Sequence, residues 1–326
     1  NASRSTSDTS NADFTIDSAD PSVTVTSPDG GEYWSGGSEH SITWSASDDN
    51  LADDPITIEY YNGSAWVEIA SSEANDGSYS WTVPTLNIST AQVRVTAVDN
   101  ASRSTSDTSN ADFTIDSNKP TSTIDFPASD DKWNRISTIY GSATEDLSYV
   151  ESVDIRIKDN DNTKYWDGSD WVVEDTWLSA TANDTFDGSP ENWYYSLDTT
   201  TSEWQLCGDN ASITIYSRAT DIASNVETAG SGNTWNYGIT TNITTTANDI
   251  GAYHGFNITW VDVGMPKYNI YYSSSDITNV SELTPKTNVT DATTYQCCDM
   301  IADTWGNTYY FAVTTVDENG NESSPT

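Results

Sequence analysis

Apolar and polar residues alternate in short runs along most of the chain. In QVRVTAVD (92–99), Val93, Val95 and Ala97 fall on one side and Arg94 and Thr96 on the other. A period of two places one face in a core and the other in water, as in a half-buried strand. The pattern returns in SITWSAS, ITIEYYN, VDIRIKD, WYYSLD, ITIYSRA, FNITWVD, YNIYYSS and YYFAVTTVD. Between the runs lie clusters of Asp, Asn, Gly and Ser, whose short side chains bond the local backbone and tolerate left-handed dihedrals. The abundance of Thr, Ser and aromatic residues suits twisted strands rather than helices. The pattern therefore predicts an all-β chain of short strands joined by polar turns.

Two repeats divide the chain. NASRSTSDTSNADFTIDS occurs at 1–18 and again, letter for letter, at 100–117. The offset of 99 residues is the length of one immunoglobulin-sized sandwich. A looser repeat, a strand followed by Asp and an Asn/Ser/Gly turn, recurs in AQVRVTAVDN, SITIYSRATDIASN and TYYFAVTTVDENGN. These marks predict a strand-G-like tail (1–18), two Ig-like sandwiches (19–117 and 118–240, the second rich in Trp) and a third sandwich (241–326). The linkers ADPS (19–22) and NKPT (118–121) each carry a proline, which limits bending by fixing a backbone dihedral.

The segments SVTVTSPDGGEYW, ITIEYYNGSAWVEIA and NDGSYSWTVP resemble bacterial and archaeal Ig-like repeats of large cell-surface proteins. The second predicted sandwich, with KYWDGSDWV, Trp177 and ATDIASNVE, is similar to a related bacterial Ig-like module. The third resembles fibronectin type III: NITW puts Trp260 in strand B, YNIYYSSS supplies a Tyr-rich strand C, and YYFAVTTVDENGNES reads as strand F and its turn. The resemblance covers nearly the whole chain. It implies tandem Ig-like and fibronectin type III β-sandwiches serving as stalks, adhesins, surface layers, fibres or spacers beside extracellular enzymes. Such folds host many functions, so it implies no specific activity.

A fibronectin-like domain needs a strand G after its FG turn, yet the sequence runs only to Thr326, just past that turn. The stretch 1–18 meanwhile matches the FG loop and strand G of the first sandwich. Two readings are open. The sequence is a segment of a longer tandem-repeat protein, or the spare strand of one copy completes the sandwich of another by strand donation.

Charge narrows the partners. Asp and Glu number 50 against 12 Lys and Arg, giving a net charge of -38. A polyanion repels nucleic acid and anionic membrane surfaces. Thirteen Trp, 18 Tyr and 6 Phe argue against a disordered acidic chain. No apolar run approaches the 18 residues of a membrane-spanning helix. The charge divides as -14, -14 and -8 over the three predicted sandwiches and -2 over the tail, so it coats the whole surface. Thirty-six Asp with only 6 Lys fits high-salt adaptation or calcium binding.

Candidate chemistry follows from these counts. His40 and His254 lie in different predicted domains, and no G-x-S-x-G, HExxH, P-loop or dinucleotide motif occurs, so no catalytic residue is assigned and the chain reads as a non-enzyme. Calcium takes six to eight oxygens. Asp48, Asp49, Asn50, Asp53 and Asp54 crowd one predicted loop, and Asp159, Asp161 and Asn162 another, with Asp167 and Asp170 across a hairpin. The spacing is not that of an EF-hand, and a solvated acidic turn is the competing reading. Trp166, Trp171 and Trp177 surround one hairpin and are candidates for stacking on a glycan, against the alternative of a ring-filled core. Sequons place N-glycosylation candidates at Asn62, Asn87, Asn100, Asn183, Asn210, Asn242, Asn279, Asn288 and Asn321, with Asn1 and a strand-embedded Asn257 besides. Cys207, Cys297 and Cys298 are odd in number, which favours a leftover thiol or a cross-link to another copy. On the sandwich layout Cys207 lies about 35–40 Å from the pair, beyond disulfide reach. The expectation is an extracellular, cell-surface structural protein forming a stalk or self-assembled filament, with copies of itself as partners. The alternative is an adhesin or carbohydrate-binding spacer whose partners include surface glycans.

Overall fold

The computed structural model describes residues 6–13, 15–133, 136–197, 211–237, 243–246, 256–260, 265, 267–273, 275–281, 283–285, 287–290, 294–297, 310–317 and 319–323. Every regular element among them is a strand, and the strands form pairs of sheets, as the alternating pattern predicts. No helix among the described residues is long and apolar enough to cross a membrane.

The chain separates into two compact units. One comprises 1–118 with the short segments 146–148 and 222–225, and the other holds the remainder. The first contains nine strands: β1 (Ser22–Ser27), β2 (Tyr33–Ser35), β3 (Glu39–Ser47), β4 (Leu51–Tyr61), β5 (Trp66–Glu73), β6 (Ser78–Thr82), β7 (Ile88–Asp99), β8 (Ser104–Thr108) and β9 (Phe113–Asp116). One sheet has the order β1-β3-β6, and the other β2-β9-β7-β4-β5 with β8 also on β7. In β7, Ala91, Val93, Val95 and Ala97 point inward, so the alternation seen in the sequence is the inward–outward alternation of the strand. They meet Ile42, Trp44, Ile56, Ile58, Trp81, Phe113 and Ile115 in one core. Trp34 packs on Phe113 with ring centroids 4.9 Å apart. The second copy of the 18-residue repeat thus supplies β8 and β9, the strands that close this sandwich.

His40 in β3 stacks on Trp34 at 4.3 Å with planes 9° apart. Partial burial lowers its pKa below the ordinary 6.5. The folded state then binds fewer protons than the unfolded one, so the contribution is complete above the unfolded pKa and declines as pH falls through it. The melting temperature is expected to drop between about pH 7 and pH 5. In His40→Gln that step should shrink, which paired thermal melts would check.

The second unit contains β10 (Thr121–Phe126), β11 (Lys132–Trp133), β12 (Thr138–Thr144), β13 (Val150–Asp159), β14 (Lys164–Trp166), β15 (Trp171–Val172), β16 (Leu178–Ser179), β17 (Thr181–Ala182), β18 (Glu191–Ser196), β19 (Ala211–Asp221) and β20 (Asn233–Tyr237). Its sheets run β10-β12-β18-β17 and β11-β20-β19-β13-β14-β15, with β16 on β13. Ile155, Ile157, Ile213, Ile215, Trp193 and Trp235 centre the core. The same unit carries β21 (Ile243–Thr246), β22 (Phe256–Trp260), β23 (Lys267–Ser273), β24 (Thr287–Thr290), β25 (Thr294–Cys297) and β26 (Tyr310–Val316), in sheets β21-β22-β25 and β24-β23-β26. Trp260 and Tyr268 pack at 5.4 Å within a core that includes Ile258, Ile270 and Val313.

Candidate functional site

Strand β7 ends on Asp99, whose side chain is turned into the protein and only 3% exposed. Its Oδ1 accepts a hydrogen bond from the Arg103 backbone N at 2.8 Å, closing the turn into β8. Its Oδ2 is buried and meets no donor. Two further carboxylates converge there. Asp48 follows β3, and its Oδ1 accepts from the Asn50 backbone N at 2.7 Å. Asp17 belongs to the segment before β1; its Oδ1 accepts from the Ala19 N at 3.1 Å and its Oδ2 from Asn50 Nδ2 at 3.3 Å. One oxygen from each of Asp17, Asp48 and Asp99 lies within 4.8 Å of the others. Among the described residues no Lys or Arg forms a salt bridge with these three; the nearby Arg103 guanidinium pairs with Asp20 instead, at 2.6 Å. Three carboxylates gathered without a counter-charge repel one another, and a hard cation relieves that repulsion through oxygen ligation.

The remaining predicted calcium ligands are arranged otherwise. Asp49 is exposed. Asp53 and Asp54 do not share a loop with Asp48: they lie within β4, exposed, where the register against β7 shifts between Leu51 and Ile56. Asp159 is buried, but its oxygens accept from Asp161 N, Asn162 N and Asn162 Nδ2. Asp161 Oδ2 accepts from the Ser212 N at 2.9 Å. Asp167 accepts from Ser169 N, Ser169 Oγ and Asp170 N, and these bonds hold its pKa below the ordinary carboxylate value. Asp170 accepts from the Trp171 N. Asp159, Asp167 and Asp170 cap local donors, the common use of Asp in turns, while Asp161 ties its turn to the start of β19. The sequence reading missed Asp17 and Asp99, which stand 82 residues apart. The available signal was the Asp that stands between a long alternating strand and an Asn/Ser/Gly turn, at 99, 221 and 317.

Trp166 and Trp171 are 4% and 5% exposed and pack edge to face at 5.6 Å. They pair across the β14–β15 hairpin, which turns both rings into the core and leaves no ring face for a sugar. This corrects their reading as surface platforms. Trp177 is half-buried and makes cation–π contacts with the guanidinium groups of Arg156 (4.8 Å) and Arg218 (4.1 Å). Tyr140, 48% exposed, stacks on Phe126 at 5.4 Å and lies opposite Tyr194 in the sheet. A shallow cleft of about 390 Å³ joins Tyr140 and Tyr194 to Asp125, Asn183 and Asn192.

Of the sequon asparagines, Asn87, Asn183, Asn279 and Asn288 are exposed, and Asn62 is half-buried in a turn where its Oδ1 accepts from Ser64 and Ala65. Asn100 and Asn321 use their Nδ2 groups as donors, to Leu51 O at 3.0 Å and to Asp317 Oδ2 at 3.0 Å. Asn257 lies in β22. Cys297 ends β25. Asn1, Asn210, Asn242, Cys207, Cys298 and His254 lie outside the described residues.

The described strands form paired sheets of β-sandwich type. Residues 21–97, within the first sandwich, match the family model of the bacterial Ig domain. No curated protein sequence matches the chain. Among solved structures, a 1.5-MDa bacterial ice-binding adhesin is similar at 15% identity, with 95% of this chain and 99% of that chain covered and a TM-score of 0.34. A Ca2+-stabilized adhesin with which an Antarctic bacterium binds ice is similar at 17% identity, over 96% of this chain and 73% of that one, TM-score 0.36. Fibronectin(III)-like modules of Clostridium thermocellum CbhA are similar at 16% identity, over 67% and 94%, TM-score 0.33.

Proposed function

We propose that this chain is part of an extracellular, cell-surface stalk or filament, in which residues 1–18 close the sandwich of a neighbouring repeat. One comparison carries the reading. Ile115 in β9 is fully buried, while Ile16, its counterpart in an identical 18-residue sequence, is 83% exposed. The sequence that forms two closing strands at 100–117 has no strand partner among described residues 6–13 and 15–18. An exposed, strand-competent edge with an apolar side chain is a pairing surface. The neighbour is either the preceding repeat of a longer chain or a second copy.

Sedimentation velocity separates these arms. At about 1 M salt, where the Debye length is about 3 Å and the repulsion of the acidic coat is screened, strand donation predicts oligomers that disappear on deletion of residues 1–18. Monomer throughout excludes donation between copies and leaves the tandem-repeat arm.

A second reading, a glycan-contacting spacer, is favoured by the Tyr140 cleft. Tyr140→Ala should then abolish retention on a glycan array that the wild type binds.

A further inference from the structure

We propose that Asp17, Asp48 and Asp99 form a calcium site that fastens the segment preceding β1 to the first sandwich. The inference stands apart from the stalk reading, because it concerns only how three side chains of one unit are compensated. Convergent acidic residues alone would not carry it, since acidic turns are common on such a surface. The second observation is the buried Oδ2 of Asp99, which meets no donor. Buried polar atoms are almost always satisfied, and a buried charged oxygen more stringently so.

The third sandwich supplies an internal comparison. Asp317 directly follows β26 much as Asp99 ends β7, and it is equally buried. Four residues later stands Asn321, whose backbone N donates to Asp317 Oδ1 at 2.8 Å and whose Nδ2 donates to Oδ2 at 3.0 Å. Both oxygens are satisfied by protein. In the first sandwich the residue four positions on is Arg103. Its backbone N satisfies Oδ1 in the same way, but its side chain turns to Asp20 and leaves Oδ2 open. That open oxygen is in the side chain that meets Asp17 and Asp48. One turn is closed by an amide, and the other leaves a buried oxygen unpaired on a side chain that meets two further carboxylates.

The donor set selects the cation. Three carboxylates offer only hard oxygen ligands, which excludes a thiolate- or imidazole-seeking metal. They come from a loop, a strand end and an extended segment, and Asp17 and Asp48 are partly open to solvent, so water can complete the shell. Such a mixed, adaptable shell suits calcium better than magnesium, which demands near-ideal octahedral geometry and gives up water reluctantly. Asp116, which occupies Asp17's place in the second copy of the repeat, is also fully buried with an Oδ2 that meets no donor. The two copies therefore use the position differently: Asp116 Oδ1 accepts from the Asn118 N inside the sandwich, whereas Asp17 meets Asp48 and Asp99.

The consequence is control of the leading segment. Asp17 is the single ligand contributed by the repeat copy at 1–18, next to exposed Ile16. Bound calcium would hold the segment's end against β3 and β7, and removal would free it.

The test is calorimetric titration of calcium into the chelator-treated full chain. The wild type should bind calcium. Asp17→Asn, in an exposed segment whose substitution does not threaten the core, should weaken that event about tenfold or more through loss of one ligand charge. Asp99→Asn should remove it; if that variant fails to fold by circular dichroism, the double variant Asp17→Asn/Asp48→Asn replaces it and should remove the event in the same way. Hydrogen exchange at residues 17–20 should slow with calcium in the wild type alone. Absence of binding in the wild type, or equal stoichiometry and affinity in wild type and variants, overturns the proposal.

Discussion

Ile115→Ala is expected to destabilise the first sandwich by about 2–5 kcal/mol, whereas Ile16→Ala should change it by less than about 0.5 kcal/mol. The two isoleucines sit in the same eighteen-residue sequence, so local propensity is equal by construction. Ile115 pairs with Trp34 on one side and Ile88 on the other, inside the core with Phe113. Truncation removes the transfer free energy of the lost methyl groups and leaves a cavity that a close-packed sheet fills only partly. Ile16 is 83% exposed and leaves no cavity. Urea denaturation at low protein concentration, with m held constant, would measure both. Similar losses from both variants would mean that the leading segment packs in solution as its copy does, and the stalk reading would lose its main support. At concentrations where copies assemble, strand donation predicts that Ile16→Ala begins to cost stability as well.

Gly141→Ala should be nearly as damaging, at about 3 kcal/mol, although it adds one methyl group. Gly141 lies in β12 between β10 and β18. A Cβ there would stand 1.9 Å from the Thr123 carbonyl oxygen and 2.6 Å from Trp193 Cζ2. The carbonyl belongs to the backbone of the neighbouring strand. The Trp193 ring is 1% exposed in the core. Neither can retreat without breaking ladder bonds or displacing packed side chains, so the added volume becomes strain. Ser142→Ala, one residue along, is the control. Its hydroxyl faces an exposed cross-strand partner, Thr123 Oγ1, and its removal should cost less than about 0.5 kcal/mol. If the two substitutions prove equal, the close approach of β10 to β12 is wrong.

Much of the fold was legible because strand alternation is a local property. The stretches containing β3, β4, β7, β13, β19, β23 and β26 stand out by their period of two. The family match over 21–97 falls where the Ig-like resemblance was read. The candidate site was legible only in part. Asp48 was visible within SDDNLADDP, but the stretch reads as one loop, while β4 begins at Leu51 and takes Asp53 and Asp54 out to solvent. The tryptophans around the β14–β15 hairpin gave no sign of direction, because strands of three and two residues are too short to display an alternation.

The amino-acid sequence alone determined the all-β class, the 99-residue repeat and the net charge of -38. These depend on side-chain type and on neighbours a few positions away. Only the tertiary structure decided that Ile16 and Ile115 differ, that Trp166 and Trp171 turn inward, and that Asp17, Asp48 and Asp99 meet. Each is a matter of which strand lies alongside, and strand pairing joins residues far apart in sequence. Identical residues in an identical sequence can therefore end in water or in a core, and carboxylates 82 residues apart can come together.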